Sequence, residues 1–121
     1  MEARAVRKYI RTSPLKMRTV VNVVRGKNVG EALSILNFLP QQATRQVRLA
    51  IESAVHNLMN KYEDERFDED ELVISEIRVD EGPTIKRFQP APRGRAHRIL
   101  KRSCHLTVVI AAPGEEDEDD E

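Results

Sequence analysis

The sequence predicts an α+β fold: three helices packed on a small three-stranded antiparallel sheet, with a long protruding β-hairpin. Three observations lead there. Apolar residues recur with a 3.6-residue period between about residues 14 and 62, and the period changes to two from residue 72. A basic stretch interrupted by turn residues then separates two of the strand-like runs.

The first helix is predicted over about 14–25, in "SPLKMRTVVNVVRGK". Ser13 supplies an N-cap oxygen, Pro14 stands where a missing N–H costs nothing, and Gly26 supplies a left-handed stop. Met17, Val20, Val21 and Val24 form one apolar face. A second, shorter helix follows in "NVGEALSILNFLP". Asn28 and Glu31 have capping spacing there, Ala32, Leu33, Leu36 and Leu39 face inward, and Pro40 closes the segment.

The third helix is predicted over about 41–62. Val47, Ala50, Ile51, Ala54, Val55, Leu58, Met59 and Tyr62 run along one side of it. Arg45 and Arg48 lie one turn apart, a spacing that fits either a phosphate grip or ordinary solvent-facing arginines. His56 has no second ligand at metal spacing and is read as a polar surface residue.

In "LVISEIRVDEG", Val73, Ser75, Ile77 and Val79 alternate with Leu72, Ile74, Glu76 and Arg78. In "CHLTVVIAA", Cys104, Leu106, Val108 and Ile110 alternate with His105, Thr107 and Val109. Both read as strands of one antiparallel sheet. "EARAVRKYIR" is a weaker third strand, with Val6 and Ile10 on one face and Tyr9 on the other. Helices covering one face of this sheet would bury every apolar stripe. The domain is expected over residues 1–112, with the hairpin over about 81–103, its tip at about 89–95, and an acidic, disordered tail over 113–121. The chain's 121 residues suffice for one modest core.

Charge location carries the functional signal. The chain holds 20 Lys plus Arg and 20 Asp plus Glu, for zero formal net charge. Seven acids fall in residues 63–71 (Glu63, Asp64, Glu65, Asp68, Glu69, Asp70, Glu71) and seven more in 115–121. Removing these two runs leaves a strongly basic body, the footprint of a polyanion-binding protein. The runs themselves read as solvated charge, or as competitors of nucleic acid for the basic face.

Residues 86–102, "KRFQPAPRGRAHRILKR", concentrate Lys86, Arg87, Arg93, Arg95, Arg98, Lys101 and Arg102 with no acid. Pro90, Pro92 and Gly94 mark the reversal, and Ile85, Phe88, Ile99 and Leu100 are its apolar residues. So little apolar surface leaves the arm marginal by itself. Phosphates would neutralise its cations and release counterions. Arginine's planar fork suits phosphates and unpaired bases, so irregular RNA fits better than a regular DNA groove.

Other chemistries find little support. No run approaches a membrane span and no secretory signal is visible, so the protein is expected in the cytoplasm without a membrane partner. Cys104 is alone, which leaves no disulfide or metal spacing, and reads as a small buried strand residue. No metal site, cofactor or catalytic group is expected. His97 and His105 with Asp80 or Glu81 lack an orienting partner or a shielded pocket. The rival binding function is a DNA-bending protein with a proline-tipped basic hairpin.

"SPLKMRTVVNVVRGK", the three-helix segment, and "DEGPTIKRFQPAPRGRAHRILKRSCHLTVVI" together closely resemble the bacterial large-subunit ribosomal protein 22 family. The resemblance covers about residues 3–112. It implies a structural constituent of the large ribosomal subunit that binds large-subunit ribosomal RNA and supports subunit assembly. Its hairpin would line the nascent-peptide exit tunnel, near the site of macrolide drugs. It implies tunnel-lining roles for Gln89, Pro90, Ala91, Pro92, Arg93, Gly94 and Arg95, and RNA contacts at Lys86, Arg87, Arg93, Arg95, Arg98, Lys101 and Arg102. "SPLK" and "RGK" match the family pattern, which adds Ser13, Lys16, Arg18, Arg25 and Lys27 as RNA contacts. Ribosomal RNA, neighbouring ribosomal proteins and the nascent peptide are the implied partners, with no homo-oligomer. The acidic loop at 63–71 and the tail from 115 depart from the family pattern.

Overall fold

The computed structural model describes residues 1–90, 92–94 and 96–112. Among them, three helices, α1 (Pro14–Val24), α2 (Val29–Phe38) and α3 (Ala43–Lys61), follow the N-terminal strand β1 (Glu2–Ile10). Then come β2 (Val73–Glu81), β3 (Ile85–Pro90), β4 (Ala96–Lys101) and β5 (Cys104–Ala111). One antiparallel sheet has the order β1-β5-β2, and β3 and β4 form a separate two-stranded ribbon. This is the α+β arrangement the sequence predicts.

The helix ends follow their local chemistry. Ser13 Oγ accepts from the Lys16 N–H at 3.4 Å, and Asn28 Oδ1 accepts from the Glu31 N–H at 2.7 Å. After Val24 the chain turns through Arg25 and Gly26, whose φ is +78°, and the Lys27 N–H returns to the Val24 carbonyl. These are the features of a type II turn, which requires positive φ at its third residue. The α1 stripe of Met17, Val20, Val21 and Val24 is buried, as are Val47, Ala50, Ile51, Ala54, Val55 and Leu58 of α3. Met59 and Tyr62 depart from the predicted stripe: Met59 is exposed, and Tyr62 is half-buried against the edge of the core. In α2 the burial falls on Val29, Ala32 and Leu36, while Leu33 and Leu39 are half-buried.

Cys104, Leu106, Val108 and Ile110 of the central strand β5 all face the helices and are fully buried. Burial pushes the Cys104 thiol above its ordinary pKa, and the positive charge of Arg18 opposes this more weakly. The outer strands break the strict alternation expected of them. In β2 a register shift between Ile74 and Glu76 switches faces, so Leu72, Ile74, Ile77 and Val79 are buried while Val73 is exposed. In β1 a second shift, between Arg7 and Ile10, contains Tyr9 at φ +58°. Ala3, Ala5 and Ile10 therefore face the core, and Val6 does not share a face with Ile10. Bulges of this kind re-aim the residues beyond them, and period-2 counting cannot register the extra residue.

Each edge strand is tied to a helix by side chains. Arg18 of α1 donates to the Val79 carbonyl at 3.0 Å, and Arg25, just past the end of α1, donates to the Ile77 carbonyl, both on β2. From α3, Asn57 donates to the Arg4 carbonyl at 2.9 Å and Lys61 to the Glu2 carbonyl at 3.2 Å, both on β1. A helix laid along an edge in this way keeps it from pairing with another chain.

The ribbon leaves this sheet at a break between Glu81 and Ile85 on one strand, and Lys101 and Cys104 on the other. Pro83 has no N–H for the ladder, which stops pairing there. Two hydrogen bonds hold the break. The Gly82 N–H donates to the Ser103 carbonyl at 3.0 Å, and Ser103 Oγ donates to the Pro83 carbonyl at 2.6 Å. A Cβ on Gly82 would lie 2.7 Å from Ser103 Oγ and 3.3 Å from the His105 ring. Gly82→Ala is therefore expected to cost about 1–3 kcal/mol through overpacking. Adding Ser103→Ala should recover part of that loss in thermal unfolding, and a double variant less stable than Gly82→Ala alone would refute the steric account.

Candidate nucleic-acid interface

The break at the ribbon's root turns it so that its first residues face the start of α1 across a groove of about 1020 Å³. One wall is the β1–α1 turn and the first turns of α1, with Arg11, Thr12, Ser13, Lys16 and Thr19, continued by Gln41, Gln42 and Ala43 at the start of α3. The opposite wall is the ribbon root, with Ile85, Arg87, Leu100, Lys101, Arg102 and Ser103. The structure thus brings together two groups that are far apart in the sequence, Ser13 and Lys16 with Arg87, Lys101 and Arg102.

Electrostatically the groove is one-sided. Arg11, Lys16, Arg87, Lys101 and Arg102 line it, no acid does, and none of these five is ion-paired among the described residues. The N-terminal ends of α1 and α3 also border it, and neither helix has an acid in its first turn. Their unneutralised dipole ends add positive potential. Five like charges around one concavity repel in the free protein, and a polyanion relieves that repulsion.

The other residues predicted for RNA contact lie elsewhere. Lys86 is exposed on β3 but does not line the groove. Arg18 and Arg25 are exposed and already donate to β2 carbonyls, so they have a part in the fold in addition to any ligand. Lys27 is half-buried and lies 3.7 Å from Glu31 one turn along α2. The backbone places Arg98 in β4 opposite Phe88.

At the far end, the ladder reaches into the segment predicted as the tip. The backbone of Gln89 and Pro90 pairs with that of His97 and Ala96, and the reversal lies over Pro92–Gly94. Arg93 at φ +65° and Gly94 at φ +72° close it. Ala91, Arg95 and the tail 113–121 lie outside the described residues.

Arg78 on the sheet's open face differs from the groove cations. It is held by Asp80 at 3.2 Å and Glu76 at 3.1 Å. These two hydrogen bonds, Asp80 first, push its pKa still further up. Its charge is locally neutralised, unlike those of the groove cations. Arg45 and Arg48 do not line the groove, and His56 is exposed on α3. No group of three His, Cys, Asp or Glu side chains among the described residues could hold a metal ion.

Sequence reasoning missed Arg11, Thr12, Thr19, Gln41 and Gln42. Arg11 to Ser13 immediately precede a capped helix, and Gln41 and Gln42 follow the Pro40 stop. Both loops carried a visible signal for helix boundaries. Their meeting beside the ribbon root is a tertiary fact without a local pattern.

Residues 5–111 match the family described as ribosomal protein L22p/L17e. The chain belongs to that family. It is 55% identical over 119 residues to the large ribosomal subunit protein uL22 of Salinibacter ruber, covering 98% of both chains. It is 50% identical over 109 residues to the large ribosomal subunit protein uL22 of Desulfitobacterium hafniense, covering 90% of this chain and 93% of that one. Membership of a ribosomal protein family displaces both the catalytic and the DNA-bending alternatives. The two relatives extend along nearly the whole L22p/L17e chain, so the groove and the ribbon lie within the matched region.

Proposed function

We propose that this L22p/L17e family member is a structural constituent of the large ribosomal subunit. It holds large-subunit ribosomal RNA in the groove at the ribbon root and supports subunit assembly. The ribbon reaches into the nascent-peptide exit tunnel. The observation that carries this reading is the set of five cations, without ion pairs among the described residues, on a groove that no described acid lines. Such a surface is a phosphate-binding one, and arginine and lysine on facing walls can neutralise successive phosphates of one strand.

Residues 1–112 act in this reading as a single RNA-binding unit, with residues 113–121 as an acidic extension outside it. Along the ribbon, Lys86 and Arg98 extend the basic track away from the groove, while Ser13, Arg18, Arg25 and Lys27 carry RNA on the globular side. The tip, Gln89 to Arg95, meets the nascent peptide. Neighbouring ribosomal proteins complete the surroundings, and the chain acts as one copy in the cytoplasmic ribosome.

Gradient sedimentation of cell lysate at low and high salt tests the reading. The protein is expected to travel with the large subunit and to stay with it at high salt, because many partly buried phosphate contacts are screened less than exposed ones. Sedimentation as a free small protein, or together with chromosomal DNA, would overturn the assignment. Deleting two residues around Pro92 should then change sensitivity to tunnel-binding drugs or nascent-chain pausing more than subunit yield. Unchanged responses to both would remove the tunnel role alone.

A further inference from the structure

The groove is not only cationic. Ile85 and Leu100 on its ribbon wall are 50% and 43% exposed, an aliphatic surface ringed by Arg87, Lys101, Arg102, Arg11 and Lys16. Facing it across the groove, the Gln41 and Gln42 side-chain amides make no hydrogen bond among the described residues. Gln42 stands at the N-cap of α3 yet does not cap it with its side chain. Gln41 takes part only through its carbonyl, which accepts from Thr44 Oγ1 at 2.7 Å.

We propose that this groove takes an unpaired stretch of RNA, with base faces on Ile85 and Leu100 and base edges on the Gln41 and Gln42 amides. The inference rests on the RNA-binding reading above and specifies the kind of RNA. Helical RNA shows its surroundings phosphates and 2′-hydroxyls and keeps its base faces stacked inside. Against such a ligand the aliphatic wall would stay unmatched. An unpaired segment exposes both parts at once, phosphates for the cations and apolar base faces for Ile85 and Leu100. Each glutamine amide offers donors and an acceptor together, the combination that pairs with a base edge. The volume of about 1020 Å³ matches the upper end of the roughly 300–1,000 Å³ filled by single small ligands, which leaves room for a short run of nucleotides.

Fluorescence anisotropy with the full chain tests this with two probes of equal phosphate number, a labelled oligouridylate and a blunt RNA duplex. The wild-type chain is expected to bind the oligouridylate about tenfold more tightly than the duplex. Gln41→Ala with Gln42→Ala should weaken oligouridylate binding about tenfold and duplex binding much less, since two hydrogen bonds to bases are lost and no charge is. Both residues are exposed, so the variant's melting temperature should match the wild type's. Ile85→Ala should narrow the preference in the same direction by removing apolar contact. Equal wild-type affinity for both probes, or an equal loss for both in the glutamine variant, would overturn the unpaired-strand inference and leave RNA binding intact. Failure to bind either probe at low salt would overturn the RNA-binding reading itself.

Discussion

Replacing Arg87, Lys101 and Arg102 together with glutamine is expected to lower RNA affinity by roughly a thousandfold at low salt. Hydrogen bonds to charged groups contribute about 1.5 kcal/mol or more each, and tenfold in affinity corresponds to about 1.4 kcal/mol. The three residues lie on the ribbon wall of one groove, are exposed, and are free of ion pairs among the described residues. Removing them therefore strands no buried acid. The melting temperature should stay level or rise slightly as like-charge repulsion is relieved. A second readout separates phosphate contact from general damage. The slope of log affinity against log salt should become shallower by about two to three units, given roughly 0.7 to 0.9 per phosphate neutralised. Arg78→Gln is the matched control, because Asp80 and Glu76 already hold that guanidinium. An unchanged salt slope in the triple variant, or an equal loss in Arg78→Gln, would show that the groove is not where the phosphates sit.

The contrast between those arginines shows what could be read from the sequence. Local signals were legible wherever neighbouring residues set the outcome. Ser13 and Asn28 cap the helices predicted for them, Gly26 takes positive φ, and the α1 stripe is buried. The charge segregation was legible too, because it needs only position along the chain. Ion pairing was legible only in part: Glu76 and Asp80 stand two residues either side of Arg78 on one strand face, whereas whether a distant acid reaches Arg87 is decided by the fold. The strands showed the same limit. Alternation located β1 and β2, but a single extra residue in each reversed the face beyond it, so Val6 and Val73 came out exposed. The break at Gly82 and Pro83 is what swings the ribbon root toward α1, and it follows from a close approach that no periodicity records. The groove is the product of that break, so half of its lining escaped prediction even though its ribbon cations did not.

Leu106→Ala should be the most damaging single truncation of the fold. Leu106 is fully buried in the central strand, paired with Arg7 of β1 on one side and Val79 of β2 on the other. Its side chain packs toward the helices, and both edge strands must be in place around it. Truncating such a leucine costs about 2–5 kcal/mol, the larger values where the cavity cannot collapse. A sheet pinned to helices at both edges by Arg18, Arg25, Asn57 and Lys61 has little freedom to close in, which favours the upper part of that range. Domains of this size have about 5–15 kcal/mol in total, so the variant should melt roughly 10–20 °C lower, at about 4 °C per kcal/mol. Val109→Ala, in the same strand but half-buried on the open face, should cost about 1 kcal/mol or less. RNA distinguishes a weakened fold from a damaged groove. Leu106 does not line the groove, so RNA at a hundredfold excess over its dissociation constant should restore about 2.7 kcal/mol by mass action, as it would for the wild type. Equal destabilisation by the two truncations would contradict the assignment of the core to the helix-facing side of β5. A Leu106→Ala chain that RNA fails to stabilise would mean that the central strand, and not only the ribbon root, shapes the phosphate-binding surface.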